Sequence, residues 1–208
     1  HHTVYLESPS NQTITNLNNI SLIFTYNHTG SLGGTVNCTL YIDGDATNYQ
    51  TNVSANDSIM VYSNKSWSEG NHSWHVNCTN GAATESSLDY YNGSFIFTYD
   101  NTPPAILNQS LDDDIIFINS SIRLSAIIND PSGVESVNFL INAPYGELNE
   151  TAINGTGSEY YVICNSTGGT GNCYTNETGS YNWTQILAND TAGNVNVSPS
   201  ALLFSVAN

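Results

Sequence analysis

The sequence predicts an all-β chain built as two β-sandwiches in series. Three observations carry this. Apolar and polar residues alternate over short runs broken by Gly, Asn, Asp and Pro, the period-two pattern of half-buried strands. The two halves of the 208 residues repeat one another. Each half, at about 100 residues, has the size of one sandwich domain.

The elements follow in order. The segment DNTPPA (Asp100 to Ala105) reads as a linker, because its two prolines fix φ and cannot continue a central strand. It separates a first sandwich over 1–101 from a second over 102–208. ISLIFTYNHTGSLGGTVNCTLYIDG (Ile20 to Gly44) aligns with IRLSAIINDPSGVESVNFLINAP (Ile122 to Pro144). Each half has an alternating strand, a Gly-containing loop and a second alternating strand. HSWHVNCTNGA (His72 to Ala82) aligns with YNWTQILANDTAG (Tyr181 to Gly193), superposing Trp74 on Trp183. On that alignment Leu187 replaces Cys78 and no cysteine matches Cys38. SFIFTYD and ALLFSVAN close the halves with aromatic strands. About seven strands per half is the rhythm of an immunoglobulin-like β-sandwich. The stretch Pro144 to Gly179 finds no clear counterpart in the first half and reads as an insertion.

Four cysteines, an even number, suit a disulfide-bonded secreted chain. Three pairings exist. Cys38–Cys78 and Cys164–Cys173 are favoured because each keeps a bridge inside one half. The second would staple the loop CNSTGGTGNC within the insertion. No CxxC or Cys/His cluster suggests zinc, so no metal and no cofactor are assigned.

The tripeptide NCT occurs twice, at Asn37 and at Asn77. Side chains alternate along a strand. Cys38, Leu40 and Ile42 then share one face, as do Trp74, Val76 and Cys78. If that face is the core, the sequon residues look outward, and a half-cystine and a glycan acceptor become compatible neighbours.

Composition excludes several partners. Lys65 and Arg123 are the only basic residues against 18 acidic ones, a formal charge of −16. Nucleic acid and anionic membranes need clustered Lys and Arg, so neither is an expected partner. No apolar run is long enough for a membrane helix. Only 10% of residues are charged, yet 30 Asn and abundant Ser and Thr are present. Chance would give six or seven N-x-S/T triplets from that composition; the chain has nineteen. They lie at Asn11, Asn19, Asn27, Asn37, Asn52, Asn56, Asn64, Asn71, Asn77, Asn92, Asn108, Asn119, Asn149, Asn154, Asn165, Asn176, Asn182, Asn189 and Asn196. The excess predicts an extracellular, densely N-glycosylated surface protein whose solubility comes from sugar. The absence of an initiator Met and of a signal-peptide pattern suggests a processed form or a fragment.

Candidate chemistry is sparse. No G-x-S-x-G, P-loop or HExxH occurs, and no enzyme is expected. An N-terminal His1 on a β-sandwich resembles the copper histidine brace of lytic polysaccharide monooxygenases. A second ligand would then come from His28, His72 or His75. LDDDI (Leu111 to Ile115) and the loops NDPSG and NDTAGN, with Asp130 and Asp190, offer oxygens for Ca²⁺, although Asp and Asn are also ordinary turn residues. Lys65 is the one lysine available for a Lys–Asn isopeptide. Tyr90, Tyr91 and Tyr99 are candidates for packing or for an intersubunit interface.

VYLESPSNQTI, CTLYIDG, GNHSWHVNCT, FTYDNTPP and NDTAGN resemble the tandem immunoglobulin-like or fibronectin-like modules of archaeal and bacterial cell-surface proteins. That resemblance implies a structural role at the cell surface: a glycoprotein subunit self-associating into a filament or pilus-like thread. Subunits would join by strand addition, with Thr3, Val4, Tyr5 and Leu6 as the shared strand. The alternative is an adhesive or stalk module of a larger surface protein that binds a glycan or protein ligand.

Overall fold

A computed structural model describes residues 2–28, 36–53, 57–62, 66–80 and 93–208, with backbone alone at 2, 28, 48–53, 57–62 and 79–80. The chain divides into two compact units, His1–Asn101 and Thr102–Asn208. Among the described residues every regular element is a strand.

Unit 1 contains β1 (His2–Ser8), β2 (Thr13–Thr15), β3 (Ser21–His28), β4 (Val36–Ile42), β5 (Asp45–Val53), β6 (Asp57–Tyr62), β7 (Gly70–Asn80) and β8 (Phe95–Tyr99). They form a sheet ordered β1-β3-β6 and a second ordered β2-β8-β7-β4-β5. Alternation puts Val4, Leu22, Phe24, Tyr26, Leu40, Trp74 and Phe97 into one core. β4 turns into β5 through Asp43 and Gly44, whose φ values of 55° and 86° give a two-residue hairpin with both residues left-handed. IDG is therefore a turn written in the sequence.

Unit 2 contains β9 (Ala105–Leu111), β10 (Ile115–Phe117), β11 (Ile122–Asn129), β12 (Val134–Ala143), β13 (Gly146–Thr151), β14 (Ile153–Asn154), β15 (Glu159–Cys164), β16 (Gly179–Asp190) and β17 (Val195–Ala207). Its sheets run β14-β15-β11-β9 and β10-β17-β16-β12-β13. Apart from the short β14, this is the order of unit 1 repeated. The core gathers Leu124, Ile128, Phe139, Ile141, Val162, Trp183, Ile186 and Phe204. On β11, Arg123 donates to Glu159 at 2.8 Å and lies 4.0 Å over the Tyr161 ring.

Two features differ from the sequence reading. The stretch Pro144 to Gly179 does have counterparts: β13 pairs with β12 as β5 pairs with β4, and β15 pairs with β11 as β6 pairs with β3. Within that stretch, β14 and the loop 165–178 have no counterpart among the described residues of unit 1. The second correction concerns Leu187. In unit 1, Trp74, Val76 and Cys78 face Ile42, Leu40 and Cys38. In unit 2, Trp183 faces Ile141, but the register then shifts between Trp183 and Gln185, so that Ile186 faces Phe139 and Ala188 faces Val137. Thr184 is the extra residue of a β-bulge, which moves every later side chain by one position. The counterpart of Cys78 is Ala188, and that of Cys38 is Val137.

In both units the first strand is split between the sheets. β1 and β9 pair antiparallel with β3 and β11. β2 and β10 cross over and pair parallel with the last strands, β8 and β17. In unit 2 the chain enters beside the start of β17, where Asn196 Nδ2 donates to Pro104 O at 2.7 Å. β17 runs on to Ala207, eleven residues further along the same strand, or about 36 Å at an ordinary strand rise. The two ends of unit 2 therefore lie at opposite poles.

Candidate functional site

The face that carries the two NCT tripeptides has a single register. Cys38 stands directly opposite Cys78 and forms a disulfide with it, a cross-strand bridge between neighbours in one sheet. Both cysteines are buried, together with Trp74 and Val76. Across the same pair, Asn37 stands opposite Thr79 and Thr39 opposite Asn77. Asn37 is exposed, whereas Asn77 is half-buried. The Oδ1 of Asn77 is sealed from solvent with no hydrogen-bond partner among the described residues.

The other sequons sit at the surface. Asn11, Asn19, Asn27, Asn71, Asn108, Asn119, Asn149, Asn154, Asn176 and Asn182 are exposed. Asn165, Asn189 and Asn196 are half-buried. Asn56, Asn64 and Asn92 lie outside the described residues, and Asn52 is described by its backbone alone. No described sequon asparagine is buried. Several serve structure through Oδ1 alone: Asn11 accepts from Ile96 N, Asn71 from Thr98 Oγ1 and Asn149 from Asn138 Nδ2. Those bonds leave Nδ2, the atom that would carry sugar.

The loop 165–178 is closed by Cys164–Cys173 and fastened from beneath. Glu150 on β13 is buried, and both its oxygens accept from Asn172 N at 3.0 Å. Tyr145 Oη accepts from Tyr174 N at 2.6 Å. Tyr181 Oη donates to Tyr174 O at 2.7 Å, while its ring stacks on Phe204. Thr175 Oγ1 donates to Ser120 O at 2.6 Å. Burial pushes the Tyr181 hydroxyl up to about 12, and raises that of Tyr145 as well. Two glycines are dictated by contact. A Cβ on Gly171 would sit 1.7 Å from Glu150 Oε2, and one on Gly169, at φ 64°, would sit 1.7 Å from Ile163 O. The loop is a fitted cover over the unit's edge. The sequence reading missed Glu150. Its signal was phase, because Glu150 falls two residues after Leu148, on the side turned inward.

Asp130 and Asp190 each offer a carboxylate oxygen, and these lie within 4.8 Å of one another. Asp130 Oδ1 accepts from Ser132 N and Oγ. Asp190 is buried and accepts from Ala192 N, Asn194 N and Asn194 Nδ2. Both therefore act as turn caps. Thr191 ties the two loops together by donating to Gly133 O through its amide and to Ser132 O through its hydroxyl. Asp112, Asp113 and Asp114 are exposed on the approach to β10.

The remaining candidates separate. His72 is buried, with Nδ1 2.8 Å from Asp43 Oδ2 and Nε2 2.9 Å from Ser68 O. Both of its nitrogens are taken, which removes it as a copper ligand. His75 stacks on Tyr41, and burial lowers its pKa. His1, Lys65, Tyr90 and Tyr91 lie outside the described residues. Tyr99 Oη donates to Asn18 Oδ1 within unit 1. Of the proposed shared strand, Val4 and Leu6 are buried in the core of their own unit; Thr3 is half-buried and Tyr5 is exposed.

No protein-family model matches this chain, and no curated protein matches it. Solved structures do. A 1.5-MDa bacterial ice-binding adhesin, studied for its retention on the host cell surface, is similar over 100% of this chain at 16% identity and TM-score 0.52. The I67–I69 fragment of the titin I-band is similar over 99% of it at 16% identity and TM-score 0.50. This chain spans 64% of the length of each. A Ca²⁺-stabilised adhesin of an Antarctic bacterium, which helps it to bind ice, is more distant, with a TM-score of 0.46 at 16% identity, over 99% of this chain and 49% of that one. At such identities the likeness establishes architecture: the chain is a tandem of immunoglobulin-like β-sandwiches.

Proposed function

We propose that the chain is a spacer, a glycosylated stalk segment of a larger extracellular surface protein. One observation supports this reading above the rest: the two ends of unit 2 lie at opposite poles. Tension along the chain would load the parallel pair β10–β17 in shear, so that several hydrogen bonds resist together. Two disulfides and surface sequons suit the extracellular side. The role on this reading is mechanical and non-enzymatic.

A thread of identical copies joined by strand addition is the second reading. The outer edge of β1, which no described strand covers in the order β1-β3-β6, favours it. Donating β1 would withdraw Val4 and Leu6 from their own core, which weighs against it. Negative-stain electron microscopy and sedimentation of the natively glycosylated chain separate the two. Monomers at high concentration support the spacer, and regular threads overturn it. Ca²⁺ is a candidate partner of Asp130 and Asp190. A rise in Tm on adding Ca²⁺ that Asp130→Asn abolishes supports that assignment, and no shift removes it.

A further inference from the structure

We infer that the two NCT sequons are unequal acceptors: Asn37 carries an N-linked glycan, Asn77 stays bare, and the sugar is added before Cys38–Cys78 closes. The inference rests on the glycoprotein reading and deepens it.

The finished fold holds the backbone of Asn37 inside a sheet, out of reach of a transferase. β4 lies inside the order β2-β8-β7-β4-β5, and Asn37 is paired with Asn52 on one side and Thr79 on the other. An acceptor tripeptide has to leave such a ladder to enter a transferase. Here the middle residue is also tied to the neighbouring strand by a disulfide. The sugar must therefore precede closure. Its bond is made when Asn37 Nδ2 loses a proton and attacks the anomeric carbon of a lipid-phosphate-linked glycan, releasing the lipid phosphate. Closure is a separate oxidation, in which the two thiols give up two protons and two electrons to an external disulfide.

The Asn37 side chain is exposed, so a glycan added before folding has room in the folded unit. Asn77 differs in three ways. It is half-buried, and its Oδ1 is sealed with no partner among the described residues, so a sugar on the same amide would have to displace whatever seals it. It is a diagonal cross-strand neighbour of Asn37, with Cβ atoms about 7 Å apart at that spacing, where one glycan already overhangs the other site. It also emerges in synthesis together with Cys78, when Cys38 is waiting to pair, so transfer at Asn77 competes with closure. Asn165, beside the other bridge, faces no such conflict. Its Oδ1 is held by Thr167 N, Thr167 Oγ1 and Gly169 N on a surface loop, and those bonds do not involve Nδ2.

The test is mass spectrometry of protein from its native producer, intact and as glycopeptides. Thr39→Ala deletes the first sequon and should remove one glycan mass; Thr79→Ala deletes the second and should remove none. A glycan on Asn77 of the disulfide-closed protein, at occupancy equal to Asn37, overturns the inference. Sugar elsewhere with none on Asn37 overturns it while leaving the glycoprotein reading intact, and a chain bare at every sequon overturns both. Cys38→Ser with Cys78→Ser keeps both sequons as N-S-T and removes the competition. Occupancy at Asn77 should then rise severalfold, and unchanged occupancy would refute the proposed order of events.

Discussion

Where unit 1 joins β4 to β7 through Cys38 and Cys78, unit 2 sets Val137 against Ala188. Both pairs are buried beside a tryptophan at the same place in the fold, Trp74 or Trp183. The bulge at Thr184 in unit 2 turns a backbone carbonyl toward the indole, and Trp183 Nε1 donates to Gln185 O at 3.1 Å. Trp74 Nε1 is buried without an acceptor among the described residues. One unit thus secures its central strands covalently, with no described acceptor for the indole hydrogen. The other secures them by packing and satisfies that hydrogen with an irregularity. The second unit spends its own disulfide on a loop instead. An immunoglobulin-like sandwich needs these two strands held together, and more than one chemistry is sufficient.

The comparison breaks most visibly on reduction. In the chain-entropy picture Cys38–Cys78, across a separation of 40, contributes about 4 kcal/mol, and Cys164–Cys173, across 9, about 2.5 kcal/mol. Cys38→Ala with Cys78→Ala should therefore lower the denaturant midpoint of unit 1 by more than Cys164→Ala with Cys173→Ala lowers that of unit 2. Equal losses would show that the cover loop is fastened chiefly by its bridge, and not by Glu150 and the tyrosines.

Transplanting the bond sharpens the contrast. Val137→Cys with Ala188→Cys should close a bridge in unit 2 and stabilise it by up to about 4 kcal/mol under oxidising conditions. Failure to oxidise would mean that the bulge has moved the two strands out of bridging geometry.

Alkaline pH should distinguish the units next. The Tyr181 hydroxyl is held near 12, above the ordinary tyrosine value of about 10. Its contribution to stability is complete below pH 10 and is lost as pH rises from 10 to 12, because the unfolded chain releases the proton first. Unfolding followed against pH should show this limb in unit 2, and Tyr181→Phe should flatten it.

The smallest effect concerns the indoles. Trp74→Phe and Trp183→Phe remove similar volume, but only the second breaks a hydrogen bond. Trp183→Phe should cost about 1 kcal/mol more, read by hydrogen exchange within each unit. Identical losses would mean that the bulge carbonyl finds water as readily as indole.

Much of this architecture is legible along the chain. Period-two alternation announces the strands, Asp43–Gly44 announces a hairpin, and cysteine phase against Trp74 predicts both the core face and the outward sequons. The bulge is not legible, because Trp183 and Leu187 are spaced as Trp74 and Cys78 are, and nothing in WTQIL marks one residue as extra. The stretch 144–164 hid its kinship with unit 1 because β5 and β13 share geometry without sharing residues. Among candidate sites, the fastening of loop 165–178 depends on backbone amides and carbonyls meeting Glu150, Tyr145 and Tyr181, and backbone groups leave no trace in composition.

Arg123 gives the scarcity of basic residues a practical meaning. Proteases that cut after lysine or arginine find only two such residues in 208. The bond after Arg123 lies within β11, paired on both sides by β9 and β15, with the guanidinium held by Glu159 and Tyr161. A segment standing in an environment rich in trypsin-like enzymes would pass through it almost uncut.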